Sequence, residues 1–204
     1  MGWIPSIEVE SQKGIREVAL NTRHLMHRIV FLTGEINVEL ANAFLSQFLY
    51  LEEESMEPVT IYINSPGGEV NAGLMIYDTI QGSKLPIRMV CTGLAASMAA
   101  VIFAGGQKGN RFILNHSKVM IHEPLIADGL GGSATSIKNI ADSIIKTREV
   151  MNGILAQHTE KTLEEIDEAT RYDHYMSAQE AIDFGICDAV IDSIRIGERR
   201  ANGE

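Results

Sequence analysis

The chain has 204 residues and a formal net charge of −10, and 45% of its residues are hydrophobic. This length and apolar content suffice for one domain with a full core, and they argue against disorder. The negative charge, with locally basic sequence only at residues 195–200, argues against a nucleic-acid-binding surface.

The N-terminal segment and the two cysteines bear on the location of the protein. No apolar run resembles a signal peptide or is long enough to span a bilayer. Cys91 and Cys187 both lie in apolar contexts, which favours two packed thiols over a disulfide. We therefore expect a cytoplasmic protein, with a short leader at residues 1–5 that is removed.

The first half of the chain repeats a strand, a turn and a helix. Residues 6–27 are mixed in character and predict a mobile arm leading into a short helix. The predicted strands are residues 28–34, 59–64 and 87–91, and the predicted helices are residues 37–51, with Asn37 as N-cap, 70–80 and 99–104. This alternation predicts a largely parallel sheet with crossover helices and with catalytic groups at the strand ends.

The second half contains the longest predicted helix. A strand at residues 119–124 and an extended, glycine-rich stretch at 125–132 precede it. The helix begins at residue 133 or 134 and ends near 158, a length of roughly 35 Å. We expect it to project and to pack against another subunit; lying across the sheet is the alternative. Two capping boxes then predict helices at 162–169 and 178–184, and a last strand follows at 186–191.

The hydroxyl of Ser97 lies among small residues where a strand gives way to a helix. We expect Gly93 to turn the chain and Ser97 to lie in the first turn of the helix. Free backbone N–H groups and the helix dipole there favour developing negative charge. The position suits a nucleophile, although the same small residues are also ordinary helix-packing sequence.

Residues 65–68, Ser-Pro-Gly-Gly, also join a strand to a helix. They lack the Lys and Ser/Thr of a P-loop and the glycine spacing of a dinucleotide-binding turn, which argues against a phosphate cradle. Adjacent glycines can direct free N–H groups at one oxygen, as in an oxyanion hole. A plain tight turn is the alternative.

The six histidines have no metal-binding spacing with another His, Cys or Glu, so we expect no metal. His122 differs from the others because it stands at the end of a buried strand. A side chain there emerges into a cleft, where a general base belongs. A hydrogen-bonded histidine at the boundary of the core is the alternative.

Asp173 lies in a polar sequence and by itself would be an ordinary turn residue. With Ser97 and His122 it would complete a set in which a carboxylate orients the imidazole. The order Ser, His, Asp is not that of α/β-hydrolases or of the two best-known serine-protease folds, and Gly-x-Ser-x-Gly is absent. The sequence thus predicts the same chemistry on a different fold.

Four motifs in order resemble the ClpP family, the proteolytic component of the Clp protease. They are Ser-Pro-Gly-Gly at 65–68, Gly-Leu-Ala-Ala-Ser-Met at 93–98, Met-Ile-His-Glu-Pro at 120–124 and Tyr-Met-Ser-Ala at 175–178. The resemblance runs from about residue 10 to residue 191. It implies an α/β, crotonase-like superhelix of repeated ββα units, with a projecting handle helix and an extended strand.

The resemblance also implies roles for individual residues. Ser97 matches the nucleophile, His122 the general base and Asp173 the orienting acid. Gly68 and Met98 match the backbone donors of the oxyanion hole. No metal, nucleotide or organic cofactor is implied.

The resemblance divides the chain into four parts. They are a leader and axial arm at residues 1–27, a head domain at 28–122 and 160–194, a handle at 123–159 and a C-terminal tail at 195–204. It also implies heptameric rings stacked in pairs around a closed chamber, into which an AAA+ unfoldase feeds unfolded polypeptides.

The chain departs from the family pattern at the handle and near the candidate triad. The segment between the histidine motif and Gly131 is longer than usual. Glu123 replaces the usual Gln, Tyr172 stands where an Arg is normal, and Arg171 stands where an acidic residue is common. These changes imply that an ion pair between rings is lost or rearranged.

The unfoldase-docking groove of the family is lined by aromatic and large apolar side chains. Tyr62, Phe112 and Leu114 fit that pattern, whereas Thr60, Gly82 and Thr92 do not. Buried anchors carry most of the energy of an interface. We therefore expect weaker or altered unfoldase binding, through a mixed ring with a more typical paralogue.

The function predicted from these observations is that of a serine endopeptidase acting by acyl transfer. The first alternative is a weakly active or structural ring subunit that assembles with a paralogue. A crotonase-type acyl-CoA enzyme is a minor alternative, since it would share the fold without needing Ser97, His122 and Asp173 together.

Overall fold

The computed structural model describes residues 5–11, 14–125 and 131–194 of the chain. Within these ranges the strands are β1 Ser6–Ser11, β2 Gly14–Ala19, β3 Ile29–Thr33, β4 Val59–Ser65, β5 Ile87–Ala96, β6 Arg111–Leu114, β7 Lys118–Ile121, β8 His174–Ser177 and β9 Ala189–Ile191. The helices are α1 Leu20–Met26, α2 Val38–Glu54, α3 Val70–Gly82, α4 Met98–Ala104, α5 Ala134–Thr159, α6 Leu163–Thr170 and α7 Ala178–Phe184.

Three predicted features lie wholly or partly outside the described residues. They are the leader except for Pro5, residues 126–130 of the extended handle segment, and the C-terminal tail at residues 195–204.

The N-terminal arm is a β-hairpin followed by a short helix. β1 and β2 pair in antiparallel register, with Ile7 opposite Val18 and Ser11 opposite Gly14. The predicted short helix is confirmed as α1, but the arm before it has regular structure, which the sequence reading missed. The apolar residues of β1 alternate with polar ones, and this period of two is the signal from which the strand could have been predicted.

A parallel sheet forms the centre of the described molecule. Strands β3, β4, β5, β6 and β9 pair side by side in parallel, and β7 runs parallel to the end of β5 and antiparallel to β8. Strands β3, β4 and β5 are each followed by a helix. The predicted α/β class with a largely parallel sheet is confirmed.

The strand predictions also differ from the structure at β6, at β8 and at the end of β7; in addition, β5 continues to Ala96 and β9 begins only at Ala189. β6 is missing from them because its four residues are too few for a clear pattern. β8 occupies part of the segment predicted as a polar turn, because only one of its side chains, that of Met176, is buried. The strand predicted to reach Pro124 ends at Ile121, so His122 lies just beyond the sheet.

The helix termini follow the predicted capping chemistry. The side chain of Asn37 accepts a hydrogen bond from the N–H of Leu40 at 2.9 Å. Reciprocal capping boxes open α6 and α7, between Thr162 and Glu165 and between Ser177 and Glu180. Each box satisfies N–H groups that a helix start would otherwise leave free.

The long helix is confirmed as α5, with 26 residues. At 1.5 Å per residue it is about 39 Å long. Its later part packs into the core through Met151 and Leu155, whereas Ile137, Ile140 and Ile145 in its earlier part are exposed. Only one end of this helix is therefore held by the rest of the described chain.

An ion pair between buried Arg111 and partly buried Asp188 ties the start of β6 to the segment before β9. The side chain of Arg111 is 3% exposed and contacts Asp188 through Nη2 and Oδ1 at 2.7 Å and through Nε and Oδ2 at 3.1 Å. Its Nη1 donates to the carbonyl oxygen of Ala104, at the end of α4, at 2.9 Å. Burial raises the pKa of Asp188, but the hydrogen bonds and charge of Arg111 outweigh burial and hold that pKa below its ordinary value.

We expect Asp188→Asn to lower the free energy of unfolding at pH 7 by about 3–5 kcal/mol, because it leaves the Arg111 charge buried without a counter-ion. Urea denaturation measures this change. Since the folded-state pKa of Asp188 is depressed, its contribution is present above the unfolded pKa and is lost as the pH falls through the folded pKa. The difference in the free energy of unfolding between wild type and Asp188→Asn should therefore become smaller in acid.

Glu160→Gln is the matched control, because it breaks the ion pair between Lys108 and Glu160, whose side chains are mostly exposed. We expect a much smaller loss for that variant, because water screens an exposed ion pair. Equal losses from the two substitutions would contradict the assignment of Arg111 and Asp188 as a structural pair.

Candidate active site

β5 changes its neighbour partway along its length, and this change brings its end to β7. Met89, Val90 and Cys91 pair with β6, whereas the segment from Leu94 to Ala96 pairs with β7. Gly93, between the two parts, does not turn the chain as predicted but lies within the strand. A Cβ on Gly93 would come within 2.6 Å of Oδ1 of Asn64, an atom that accepts the N–H of Leu94 at 3.1 Å.

Ser97 lies at the junction between β5 and α4 in a strained backbone conformation. It is the N-cap of α4, not a residue of its first turn, and has φ 53° and ψ −124°. Few residues other than glycine adopt such a positive φ, and such strain concentrates at functional sites. The N–H of Ser97 donates to Met120 of β7 at 2.8 Å, and its carbonyl accepts from Ala100 at 2.9 Å. The backbone is thus fixed on both sides of the hydroxyl.

The imidazole of His122 contacts the hydroxyl of Ser97. Nε2 lies 2.8 Å from Oγ, and the His122 side chain is 16% exposed. The Ser97 side chain makes no capping hydrogen bond to α4. At this distance its hydroxyl can donate to Nε2 of a neutral imidazole. That tautomer has its proton on Nδ1.

Asp173 reaches the other side of the imidazole because of the register of two strands. β7 and β8 are antiparallel, with Ile121 opposite His174. Extending this register by one residue places His122 opposite Asp173. Oδ1 of Asp173 lies 3.4 Å from Nδ1 of His122. This separation is longer than an ordinary N–H···O hydrogen bond, and the carboxylate is 60% exposed.

The glycine pair after β4 lies against this junction. A Cβ on Gly67 would lie 2.7 Å from Cβ of Ser97 and 3.0 Å from the nitrogen of Met98. Ile36 donates to the carbonyl of Gly67 and accepts from Glu69, both at 2.8 Å. Gly68 lies between the two residues that bond to Ile36, and in such a parallel bridge its own N–H points away from Ile36.

Two backbone N–H groups are consequently available near the hydroxyl. Among the described residues, neither Gly68 nor Met98 uses its N–H in a hydrogen bond. The N–H of Gly67 donates at 3.1 Å to Oγ of Ser65, whose side chain is buried. Ser65 thus fixes the turn and leaves the N–H of Gly68 as the free donor, a role that the sequence reading missed.

The arrangement can therefore supply a hydroxyl, a base that contacts it, a carboxylate beside the base and two free N–H donors. A family model described as Clp protease matches residues 12–194 of the chain. The chain belongs to the Clp protease family. This membership confirms the resemblance deduced from the four motifs and assigns the chain a peptidase role.

Neither cysteine of this Clp protease is suited to act as a nucleophile. Burial raises the pKa of the Cys91 thiol to about 11 and that of Cys187 to about 12, so neither is a thiolate at neutral pH. No group of three or more His, Cys, Asp or Glu side chains in residues 5–11, 14–125 and 131–194 could hold a metal ion. The helices in these ranges are also too short or too polar to cross a membrane.

A cavity of about 300 Å³ lies away from Ser97, where β6 begins. Arg111 lines it, but its guanidinium is already bound to Asp188 and to the carbonyl of Ala104. His158 also lines it and lies 2.8 Å from the Tyr77 hydroxyl. Because Arg111 and His158 already have partners, this cavity is a weaker candidate for a catalytic site than the region around Ser97.

The predicted docking residues lie on β4 and β6, the two strands that flank β5. Tyr62 of β4 pairs with Val90, which pairs with Phe112 of β6, and Leu114 follows on the same face as Phe112. All three predicted side chains are half-buried. The ring of Phe31 stacks on Tyr62 with centroids 5.7 Å apart, which extends this aromatic surface beyond the sequence prediction.

The departures near Asp173 have local consequences in this member of the family. Arg171 forms an ion pair with Glu168 of its own helix end at 3.0 Å, and Tyr172 is 78% exposed. Glu123 lies 3.5 Å from Arg148 of α5. Arg148 is a further residue that the sequence reading missed, because charged residues recur throughout α5 and the pattern does not single it out.

We expect Gly67→Ala to abolish labelling of Ser97 by a fluorophosphonate, because the added Cβ would collide with Ser97 and displace the glycine pair. Gly34→Ala is the control. Gly34 also has a positive φ, but a Cβ there would meet nothing within 4 Å, so it incurs the backbone strain alone.

Labelling followed by mass spectrometry, with circular dichroism to verify folding, makes the comparison. The same labelling rate in both variants would mean that the approach of Gly67 to Ser97 is unimportant for the reactivity of the hydroxyl.

Proposed function

We propose that the chain is a serine endopeptidase that hydrolyses unfolded polypeptides by acyl transfer. The observation that carries the proposal is the contact of 2.8 Å between Oγ of Ser97 and Nε2 of His122, with Asp173 on the opposite side of the imidazole. A nucleophile, a base within reach and a group that orients the base are the elements of such a site.

In the first half-reaction, Oγ of Ser97 attacks the carbonyl carbon of the scissile peptide bond. Its proton passes to Nε2 of His122, and the carboxylate of Asp173 stabilises the imidazolium. The tetrahedral intermediate carries a negative oxygen, which accepts hydrogen bonds from the N–H groups of Gly68 and Met98. Removing one such donor costs about 3 kcal/mol of transition-state stabilisation in comparable enzymes.

Collapse of the intermediate breaks the C–N bond. His122 donates its proton to the departing amine, and an ester between Ser97 and the acyl half of the substrate remains. A water molecule then attacks the ester carbonyl and gives a proton to His122, which returns it to Oγ of Ser97 as the acid product leaves. The cycle consumes one water for each peptide bond and needs no cofactor of this chain.

The proposal extends to how substrate arrives. Clp proteases are generally oligomeric and work with unfoldases, and we propose that this chain forms heptameric rings, stacked in pairs, that enclose Ser97. Extended polypeptide would bind by pairing with strand-like backbone near the site, which selects unfolded chains. We also propose the crotonase-like superhelical arrangement for the fold and a cytoplasmic location, supported by the two free cysteines.

An AAA+ unfoldase is the proposed partner, with Tyr62, Phe112 and Leu114 as its docking surface. Any use of ATP belongs to that partner. A ring mixed with a paralogue is the form we propose if rings of this chain alone bind the unfoldase weakly.

A weakly active or structural ring subunit is the second candidate. The separation of 3.4 Å between His122 and Asp173 and the exposure of Asp173 favour it, since the carboxylate is not firmly bonded to the imidazole. The two candidates differ in whether Ser97 reacts.

We expect assembled wild-type protein to form a covalent fluorophosphonate adduct at Ser97 and to cleave an unstructured peptide. Ser97→Ala should lose the adduct and at least about 10⁴-fold in kcat. Asp173→Asn should lose at most about 10⁴-fold, the loss found for a firmly bonded triad acid, because Asp173 is partly exposed. Mass spectrometry of the labelled peptide and a peptidase assay provide both measurements.

Wild-type rings that form no Ser97 adduct would support the structural subunit instead. Turnover of an acyl-CoA thioester that survives Ser97→Ala, without peptide cleavage, would support the crotonase-type alternative.

We expect Ile140→Glu to reduce the native mass of the assembly, because a charge would be introduced into the exposed apolar part of α5 that we propose as a subunit contact. Asn139→Glu, at the neighbouring exposed position, adds the same charge and is the control. Native mass spectrometry measures both variants, and an unchanged mass for Ile140→Glu would exclude this residue from the contact.

A further inference from the structure

Two side chains on one face of α5 contact the segment that follows His122 and the helix that precedes Asp173. Arg148 and Asn152 are four positions apart and therefore point the same way. Nη1 of Arg148 lies 3.5 Å from Oε2 of Glu123, the residue after His122. Nδ2 of Asn152, which is buried, donates to Oδ1 of Asp167 in α6. The helix thus holds the histidine segment on one turn and α6 on the next.

A backbone hydrogen bond joins these two segments directly. The N–H of Glu123 donates to the carbonyl oxygen of Thr170 at 2.7 Å. Thr170 is buried and is the last residue of α6, shortly before Asp173. The segments that present the imidazole and the carboxylate are therefore linked to each other through Glu123 as well as to α5.

These links lie beyond the ends of the paired strands, where no sheet hydrogen bonds hold the described residues. β7 ends at Ile121 and β8 begins at His174, so His122 and Asp173 both lie one step beyond the ladder. Their side chains are 3.4 Å apart. A small outward shift of either segment would therefore remove the contact between carboxylate and imidazole.

We propose that Glu123 and Arg148 are positioning residues, which hold the segment after His122 against the end of α6 so that Asp173 faces the imidazole. Neither side chain has a contact with Ser97, so their effect on hydrolysis passes through His122 and Asp173. The catalytic part of this inference rests on the proposed peptidase function. The structural part, the coupling of α5 to the segment after His122, does not.

The size of the effect follows from the exposure of the pair. Both side chains are 41% exposed, and ion pairs at such positions contribute little because water screens them. A loss of about three- to fivefold in kcat is therefore expected, not the loss of several orders of magnitude expected for Ser97. KM should stay constant, because the proposed role of the pair is exerted through His122 and Asp173 and not through substrate binding.

The test uses three variants of the full-length, assembled protein. Arg148→Met and Glu123→Gln each remove one charge and keep the bulk of the side chain, and Glu123→Gln keeps the main-chain N–H. The third is the double variant. Lys146→Met is the control, because it removes a charge from an exposed position on the same helix.

Two measurements are made on each variant: kcat and KM for an unstructured peptide, and amide hydrogen exchange at Glu123. We expect each single variant to lose about three- to fivefold in kcat at unchanged KM and to exchange the Glu123 amide faster. The double variant should lose no more than a single one, because the two residues act as one unit. The control should match wild type in both measurements.

Equal losses from Lys146→Met, or a double variant whose loss is the product of the single losses, would overturn the inference. So would unchanged exchange of the Glu123 amide in Arg148→Met. The hydrogen-exchange measurement does not depend on peptidase activity. If wild-type protein cleaves no peptide but the Glu123 amide exchanges faster in Arg148→Met, the peptidase proposal is contradicted. The coupling of α5 to the segment after His122 is then still supported.

Discussion

The candidate site depends on the pairing of β7 with β5 on one side and with β8 on the other. The parallel pairing draws the end of β5 to β7, and the N–H of Ser97 continues this contact by donating to Met120. The antiparallel pairing brings the start of β8 opposite the end of β7. One four-residue strand thus determines the positions of Ser97, His122 and Asp173, which are far apart in the sequence. Asn64 contributes because its side chain lies against Gly93 and accepts the N–H of Leu94.

The half of the site around Ser97 is rigid for a second reason, the close approach of backbone segments. All residues of α4 are buried, and Gly73 of α3 leaves space for the side chain of Met98, whose Cγ would lie 2.0 Å from a Cβ there. Gly67 leaves space on the other side of Ser97. Because the surroundings are close-packed, the strained backbone of Ser97 cannot relax without displacing α3, α4 or the glycine turn.

Much of this arrangement could be predicted from local sequence patterns, and the rest could not. Periodicity and capping chemistry sufficed for α2, α5, α6 and α7, and small residues beside one hydroxyl singled out Ser97. The continuation of β5 through Gly93 was missed because a glycine after an apolar run indicates a turn as readily as a close approach to Asn64. β8 and the role of Arg148 were missed because their significance comes from strand partners and from Glu123, which are distant in sequence. The family motifs supplied the roles of Gly68 and Met98, but not the hydrogen bond of Ser65 that fixes their turn.

The two halves of the candidate triad differ in how firmly they are held. The contact between Ser97 and His122 is short and lies beside the buried residues Ala96 and Met98, so the close packing of its surroundings holds its geometry. Asp173 is exposed, lies beyond the end of β8 and is 3.4 Å from the imidazole. A carboxylate that is partly solvated stabilises an imidazolium less than one that is desolvated and hydrogen-bonded, because water screens its charge. Any contact that orders the segment between Thr170 and β8 therefore acts on the weaker half of the site, where a small displacement changes the interaction most.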